Sequence, residues 1–175
     1  NWALNKTIIT AGPAAIGVLC LSGSPRVDGF VIQNNLRGIS CFYSSPTIIN
    51  NVITGNYNYS NSGGGIYCAN SSARIISNII SGNTVTSGQP YGGGGVYCES
   101  SSLLLINNTI VKNISTYGGG VYFKNSSPTL INTIVAFNTS GIYRSDSLGS
   151  PVFGNKCVYG NYAYNYAGIT DPTGT

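Results

Sequence analysis

The sequence predicts an all-β protein, a right-handed parallel β-helix solenoid of about six to seven coils. One unit recurs six times, at steps of 21, 27, 30, 25 and 23 residues. Each unit holds two short Ile- and Val-rich runs separated by Asn, Gly, Ser and Pro, a pattern typical of strands and turns. The length varies almost entirely in one part of the unit, as expected when insertions bulge from one turn of a solenoid. The handedness follows the general rule for parallel crossover connections.

Each unit begins with a glycine followed by an apolar residue. Gly65-Ile66-Tyr67-Cys68 returns as Gly95-Val96-Tyr97-Cys98 and as Gly120-Val121-Tyr122-Phe123. Because glycine tolerates a left-handed backbone, we expect this column to occupy a turn with positive φ. The glycines of the column are Gly17, Gly38, Gly65, Gly95, Gly120 and Gly141.

Each unit ends in an asparagine. Equivalent residues of successive coils stack about 4.8 Å apart, so the six carboxamides are expected to form an internal ladder in which each bonds its neighbours. An aliphatic residue three positions earlier is expected to stack in the core, from Ile32 to Val158. The ladder residues are Asn35, Asn56, Asn83, Asn113, Asn138 and Asn161.

The repeat predicts a single domain over residues 1–175. It divides into a partial coil at 1–16, repeat coils at 17–161, and a C-terminal tail or final partial coil at 162–175. The first residue is Asn1 and no signal-peptide pattern follows it, so we expect a processed chain or a fragment.

Composition excludes several kinds of catalytic, metal-binding and nucleic-acid-binding sites. Charged residues make up 7% of the chain and histidine is absent, which removes a histidine base, a Ser-His-Asp triad and histidine metal ligands. We expect no cofactor and no metal. The net charge of +4 is too dispersed to indicate a nucleic-acid surface, and no apolar run reaches the roughly 18 residues of a membrane span.

Several segments resemble the parallel β-helix repeats of pectate-lyase-like secreted and cell-surface proteins. These are Gly-Gly-Gly-Ile-Tyr-Cys at residues 63–68, the block at 44–56, the segment 26–33 and the tail 164–175. The resemblance implies the fold. It implies no single function, because the family includes polysaccharide lyases, hydrolases, epimerases, adhesins and structural surface proteins.

An enzyme of that family would cluster acids and bases on one outer face. The acids here are Asp28, Glu99, Asp146 and Asp171. Asp28 and Glu99 are three coils apart, about 14 Å along the axis, whereas a glycosidase pair needs about 5 to 9.5 Å. Arg26 and Arg74 share a column but lie two coils apart. We therefore expect no enzyme.

Four cysteines and four tyrosines form further columns. Cys20, Cys41, Cys68 and Cys98 are expected to face inward, either as a buried thiol stack or as the disulfides Cys20–Cys41 and Cys68–Cys98. The tyrosines are expected to face outward, as a stripe that stacks on sugar rings, contacts another protein, or self-stacks to shield the sheet. They are Tyr67, Tyr97, Tyr122 and Tyr143.

Three Asn-x-Ser sequons in loops or turns, at Asn58, Asn70 and Asn125, are candidate glycosylation sites. Low charge and a secreted type of fold favour an extracellular or cell-surface location.

No segment near either end of this sequence has the pattern of the polar helix that caps many solenoids, so we expect uncapped ends. Uncapped ends are complementary, and a contact that does not close produces a filament. The sequence therefore favours a non-enzymatic structural extracellular protein that polymerises end to end. The alternatives are a glycan-binding or adhesive module of a larger surface protein, with a polysaccharide as partner, and, less favoured, a polysaccharide lyase or hydrolase fragment.

Overall fold

A computed structural model describes residues 7–87 and 91–170 of the 175-residue chain. Its regular elements in those ranges are all strands. They are β1 (Ile8–Ile9), β2 (Gly12–Leu21), β3 (Arg26–Asp28), β4 (Val31–Gln33), β5 (Asn35–Phe42), β6 (Thr47–Ile49), β7 (Val52–Thr54), β8 (Tyr57–Asn58), β9 (Ile66–Ala69), β10 (Arg74–Ile76), β11 (Ile79–Ser81), β12 (Thr84–Val85), β13 (Val96–Glu99), β14 (Leu104–Ile106), β15 (Thr109–Val111), β16 (Val121–Lys124), β17 (Thr129–Ile131), β18 (Ile134–Ala136), β19 (Ile142–Arg144), β20 (Val152–Gly154), β21 (Cys157–Tyr159) and β22 (Tyr166–Ala167).

The strands form three parallel sheets that wind around one axis. Sheet 1 runs β2-β5-β9-β13-β16-β19-β22, sheet 2 runs β3-β6-β10-β14-β17-β20, and sheet 3 runs β1-β4-β7-β11-β15-β18-β21. A coil contributes one strand to each sheet in that order, which gives six complete coils between β2 and β21. The short strands β8 and β12 pair separately, in the turn between sheets 3 and 1. The predicted parallel β-helix is confirmed.

Strand alternation places one aliphatic side chain per strand inside the solenoid. The central residue of each three-residue strand in sheets 2 and 3 points inward, as Ile53 of β7 and Ile75 of β10 do. Both are fully buried, and in-register pairing stacks each on its equivalents in neighbouring coils. The core is therefore a set of parallel aliphatic columns, including the predicted one from Ile32 to Val158.

The predicted amide ladder is confirmed. Each Nδ2 donates to the Oδ1 of the next coil, at 2.8 Å from Asn56 to Asn83 and at 3.0 Å from Asn83 to Asn113. The same Nδ2 also donates to a backbone carbonyl, as Asn83 does to Ile53 at 2.9 Å. The carboxamide Oδ1 also accepts from a backbone amide of the turn, as that of Asn83 does from Asn56 at 3.1 Å, so the ladder bonds backbone groups at the turn between sheets 3 and 1.

A second ladder, which the sequence analysis did not predict, lies at the turn between sheets 2 and 3. Asn51 donates to Asn78 at 3.0 Å, and Asn78 donates to Asn108 at 3.1 Å. At the turn between sheets 1 and 2, serine hydroxyls accept from backbone amides of the preceding coil, for example Ser101 from Ser71 at 2.9 Å. All three turns of the coil thus carry an internal polar column.

The expectation of positive φ for the glycine column is wrong. None of its six members has a left-handed backbone. Glycine is required there by close packing, because a methyl group on Gly65 would lie 2.6 Å from the carbonyl oxygen of Gly95 and 3.0 Å from Nδ2 of Asn83. The positive φ values at the corner after sheet 3 occur instead one residue before each ladder asparagine, for example at Asn34 and Gly55.

The described ends continue the coil pattern. In the predicted partial coil, β1 and the first part of β2 pair with the coil above, while residues 1–6 lie outside the described residues. In the predicted tail, β22 extends sheet 1, and residues 171–175, including Asp171, lie outside them. Within 7–87 and 91–170, no helix has the length and apolarity needed to cross a membrane.

Candidate functional site: a cleft beside the tyrosine column

The four tyrosines form a column of stacked rings on the outer face of sheet 1. Ring centroids lie 5.1 Å apart between Tyr67 and Tyr97, 5.0 Å between Tyr97 and Tyr122, and 5.2 Å between Tyr122 and Tyr143. The rings are close to parallel, and in-register strands place one at the same position in each of four successive coils. Phe42 continues the column at one end, 5.3 Å from Tyr67.

Glycine-rich segments cover this column. Gly63 and Gly93 have φ of +74°, and a methyl group on either would lie 2.7 Å from Cβ of Tyr67 or Tyr97. The backbone can therefore lie directly against the tyrosines only where side chains are absent. This contact explains why several glycines precede the Ile/Val-Tyr pair in three of the four coils.

The tyrosine column is consequently not open at its centre. Tyr97 is 4% exposed and Tyr122 is 2% exposed, while Tyr67 and Tyr143 are half-buried. The ring faces are occupied by neighbouring rings, so a sugar cannot stack on them. Self-stacking that shields the sheet, one of the three predicted roles, is the arrangement that the structure contains.

An open cleft of about 200 Å³ lies beside the column, where it meets the turns between sheets 3 and 1. It crosses four coils of sheet 1, a span of about 14 Å along the axis at the strand spacing. It combines charged, amide, hydroxyl and aromatic groups. Its lining residues are Arg37, Asn61, Ser62, Tyr67, Tyr91, Tyr97, Glu99 and Lys124.

A charge network lies at one end of the cleft. Nζ of Lys124 is 2.9 Å from Oε1 of Glu99, and the hydroxyl of Tyr97 donates to Oε2 of Glu99 at 3.2 Å. The hydrogen bond to Glu99 raises the pKa of Lys124. Sequence analysis missed this pair, although Glu99 and Lys124 hold the same position in adjacent coils. Comparing acids with cations along each column would have found it.

At the other end of the cleft, Arg37 lies on Tyr67. Its Cζ is 4.3 Å from the ring centroid, and its Nε donates to the carbonyl oxygen of Ser62 at 3.0 Å. Burial lowers the pKa of this guanidinium. Sequence reasoning missed Arg37 as well, because it lies near the start of β5, before the repeated part of the coil, and has no equivalent cation in other coils.

Burial raises the pKa of Tyr67, Tyr97 and Tyr122 above the ordinary value of 10.0. Because the folded pKa exceeds the unfolded one, this contribution to stability is complete below pH 10 and is lost as pH rises from there towards the folded pKa. We expect these tyrosines to ionise only as the protein unfolds in alkali. Tyrosinate absorbance and circular dichroism, followed together against pH, measure both events. Ionisation of all the tyrosines near pH 10 while circular dichroism still shows the folded protein would contradict the expectation.

The other described acids lie away from the cleft lining. Asp28 forms an exposed ion pair with Arg26 at 2.7 Å and accepts from Asn50, and these hydrogen bonds lower its pKa. Asp146 accepts from the backbone amides of Asn125 and Leu148. Within residues 7–87 and 91–170, no three His, Cys, Asp or Glu side chains group closely enough to hold a metal ion.

The four column cysteines face inward and are buried, as free thiols rather than disulfides. Cys98 points to the carbonyl oxygen of Ser101 at 3.6 Å, and burial raises its pKa to about 12. A thiolate is the reactive form of cysteine, so Cys98 is a poor nucleophile. Cys157, outside the column, is exposed.

The candidate glycosylation site at Asn58 is corrected by the structure. Asn58 is fully buried, its Nδ2 donates to the carbonyl oxygen of Ser62 at 3.0 Å, and its Oδ1 accepts from the amides of Ser60 and Asn61. A glycan there would disrupt the turn. Asn70 and Asn125 are exposed and remain candidates.

Three parallel sheets wound into one solenoid, with internal polar ladders at the turns, define a parallel β-helix protein. The chain belongs to the right-handed β-helix family, since the model of that family, described as the right handed beta helix region, matches residues 17–171. The crystal structure of an alginate lyase from Paenibacillus sp. str. FPU-7 is similar at 11% identity, over 94% of this chain and 80% of that chain, with a TM-score of 0.32. No curated protein matches the chain in sequence.

Proposed function

We propose that this β-helix is a glycan-binding module whose binding site is the cleft beside the tyrosine column. The observation that carries the proposal is the cleft's lining, which combines one accessible aromatic ring, that of Tyr91, with charged and amide groups. Such a combination suits sugars, because aromatic rings pack against pyranose C–H faces while polar groups bind hydroxyls.

The shape of the cleft favours an extended ligand. A volume of about 200 Å³ is below the ~300–1,000 Å³ of enclosed small-molecule pockets. The cleft is open and follows the solenoid axis, so an oligosaccharide segment of a longer chain fits it better than a compact metabolite does. Tyr91, which is 37% exposed, offers the most accessible aromatic ring of the lining.

Binding without catalysis is part of the proposal. Glu99 is the one carboxylate among the described lining residues, and both of its oxygens are engaged, by Lys124 and Tyr97. Glycoside hydrolysis uses two carboxyl groups. An extracellular or cell-surface location, where polysaccharides occur, is proposed with this function.

Replacing Tyr91 with alanine is expected to weaken glycan binding about threefold to tenfold, since an aromatic contact of this kind contributes about 0.5–1.5 kcal/mol. Native affinity electrophoresis against a panel of neutral and anionic soluble polysaccharides measures the effect. Tyr162→Ala is the matched control, because Tyr162 is 93% exposed and outside the cleft lining. If the polysaccharide retards both variants equally, the assignment of the site is refuted. If no polysaccharide retards the native protein, the function is refuted.

End-to-end assembly is a second proposal, favoured by apolar exposure on the last described coil. Val152 of β20 is 57% exposed and Tyr159 of β21 is 64% exposed. We expect sedimentation velocity to detect polymers and electron microscopy to find filaments with an axial repeat near six coils, about 29 Å. Discrete monomers at high concentration would contradict assembly without affecting glycan binding.

A further inference from the structure

Arg37 is a guanidinium whose charge has no counter-ion in the described part of the chain. It is half-buried on Tyr67, and only its Nε has a hydrogen-bond acceptor, the carbonyl oxygen of Ser62. The two terminal nitrogens donate to no described residue, and neither is sealed from solvent. They are therefore free to bind a ligand in the cleft.

The single carboxylate of the described lining does not neutralise Arg37. Glu99 is already paired with Lys124 at 2.9 Å and accepts from Tyr97. The described ion pairs of the chain are Arg26–Asp28 and Lys124–Glu99. A partly buried charge without a partner is costly, and that cost is offset when an anion binds.

We infer that Arg37 is an anion-binding residue at one end of the cleft, which takes a carboxylate or sulfate substituent of the glycan. A planar guanidinium with two free terminal nitrogens offers parallel donors that match the oxygens of either group. Its stacking on Tyr67 and its bond to Ser62 hold the guanidinium in place before the ligand binds, which lowers the entropy lost on binding. The inference rests on the proposed glycan-binding function.

The anion site is tested first with monosaccharides, so that the result does not depend on the glycan backbone. Glucuronate, glucose 6-sulfate and glucose are titrated at matched ionic strength while the side-chain Nε–H resonance of Arg37 is followed by NMR. We expect saturable shifts with the two anionic sugars and none with glucose. The exposed Arg74 of sheet 2 is the internal control. No shift at Arg37, or equal shifts at Arg37 and Arg74, overturns the inference.

The second test uses dextran, carboxymethyl-dextran and dextran sulfate, which share one backbone and distinguish carboxylate from sulfate. Arg37→Gln is expected to weaken binding of the anionic polymers about tenfold, in the range of a lost charged hydrogen bond, and Arg37→Lys to restore part of it. Arg74→Gln removes the same charge outside the cleft and is expected to have no effect.

The two tests separate the inference from the function on which it rests. If Arg37 responds to the anionic monosaccharides but no polysaccharide of any charge is retained, the glycan-binding function fails and the anion site stands. If polysaccharides are retained equally by the native protein and by a folded Arg37→Gln variant, the anion site fails and the glycan-binding function stands.

Discussion

Replacing Asn83 with alanine is expected to lower the free energy of unfolding by roughly 3–6 kcal/mol. The lost carboxamide accepts from the backbone amide of Asn56 at 3.1 Å and from its Nδ2 at 2.8 Å, and it donates to the carbonyl oxygen of Ile53 at 2.9 Å. All of these groups are buried, so water cannot replace the missing partner, and each unpaired group costs about 1–3 kcal/mol.

Denaturant unfolding measures this loss, and the corresponding fall in the thermal midpoint is about 10–20 °C for a chain of this size. Asn61→Ala is the matched control, because Asn61 is exposed and its backbone amide keeps its bond to Asn58. A loss below about 1 kcal/mol at Asn83 would show that the ladder does not support the turn.

Replacing Gly95 with alanine is expected to destabilise the protein by about 3 kcal/mol, at the upper end of typical overpacking costs. The added methyl group would lie 2.5 Å from the carbonyl oxygen of Gly120, 2.8 Å from Cγ2 of Ile110 and 3.1 Å from Nδ2 of Asn113. Neighbouring coils are tied by backbone hydrogen bonds, so they can separate only by losing sheet pairing.

Gly154→Ala provides the matched control in the same solenoid. Its methyl group would meet only Cγ1 of Ile131, at 3.8 Å, and Gly154 is not among the residues with positive φ. We expect a change within about 0.5 kcal/mol there. Similar unfolding midpoints for the two variants would show that the glycine column is not held by close packing.

Much of the fold could be predicted because repetition aligns equivalent residues without knowledge of the coordinates. Once the terminal asparagines are in register, the amide ladder follows from the strand spacing, as Asn56, Asn83 and Asn113 show. The second ladder had a comparable signal at Asn51, Asn78 and Asn108, five residues before the first, but that recurrence was not used.

The site was less predictable, because it depends on segments that do not repeat. Tyr97 occupies an outward position in the pattern, and its burial depends on how Gly93 and its neighbours fold over the ring. The turns between sheets 3 and 1 differ in length from coil to coil. Arg37 and Tyr91 lie in or beside such turns, so aligning the repeat columns does not predict that both line the cleft.

The sequence by itself determined the solenoid, its inward columns and the register of its tyrosines and cysteines, because a residue's position in a repeat sets both the face it occupies and the neighbour on which it stacks. Only the tertiary structure decided which outward groups remain accessible, why the glycines are required, and how Arg37, Glu99 and Lys124 come to line one cleft. These outcomes depend on contacts between turns and neighbouring coils, whose distances are set by three-dimensional packing rather than by the period of the repeat.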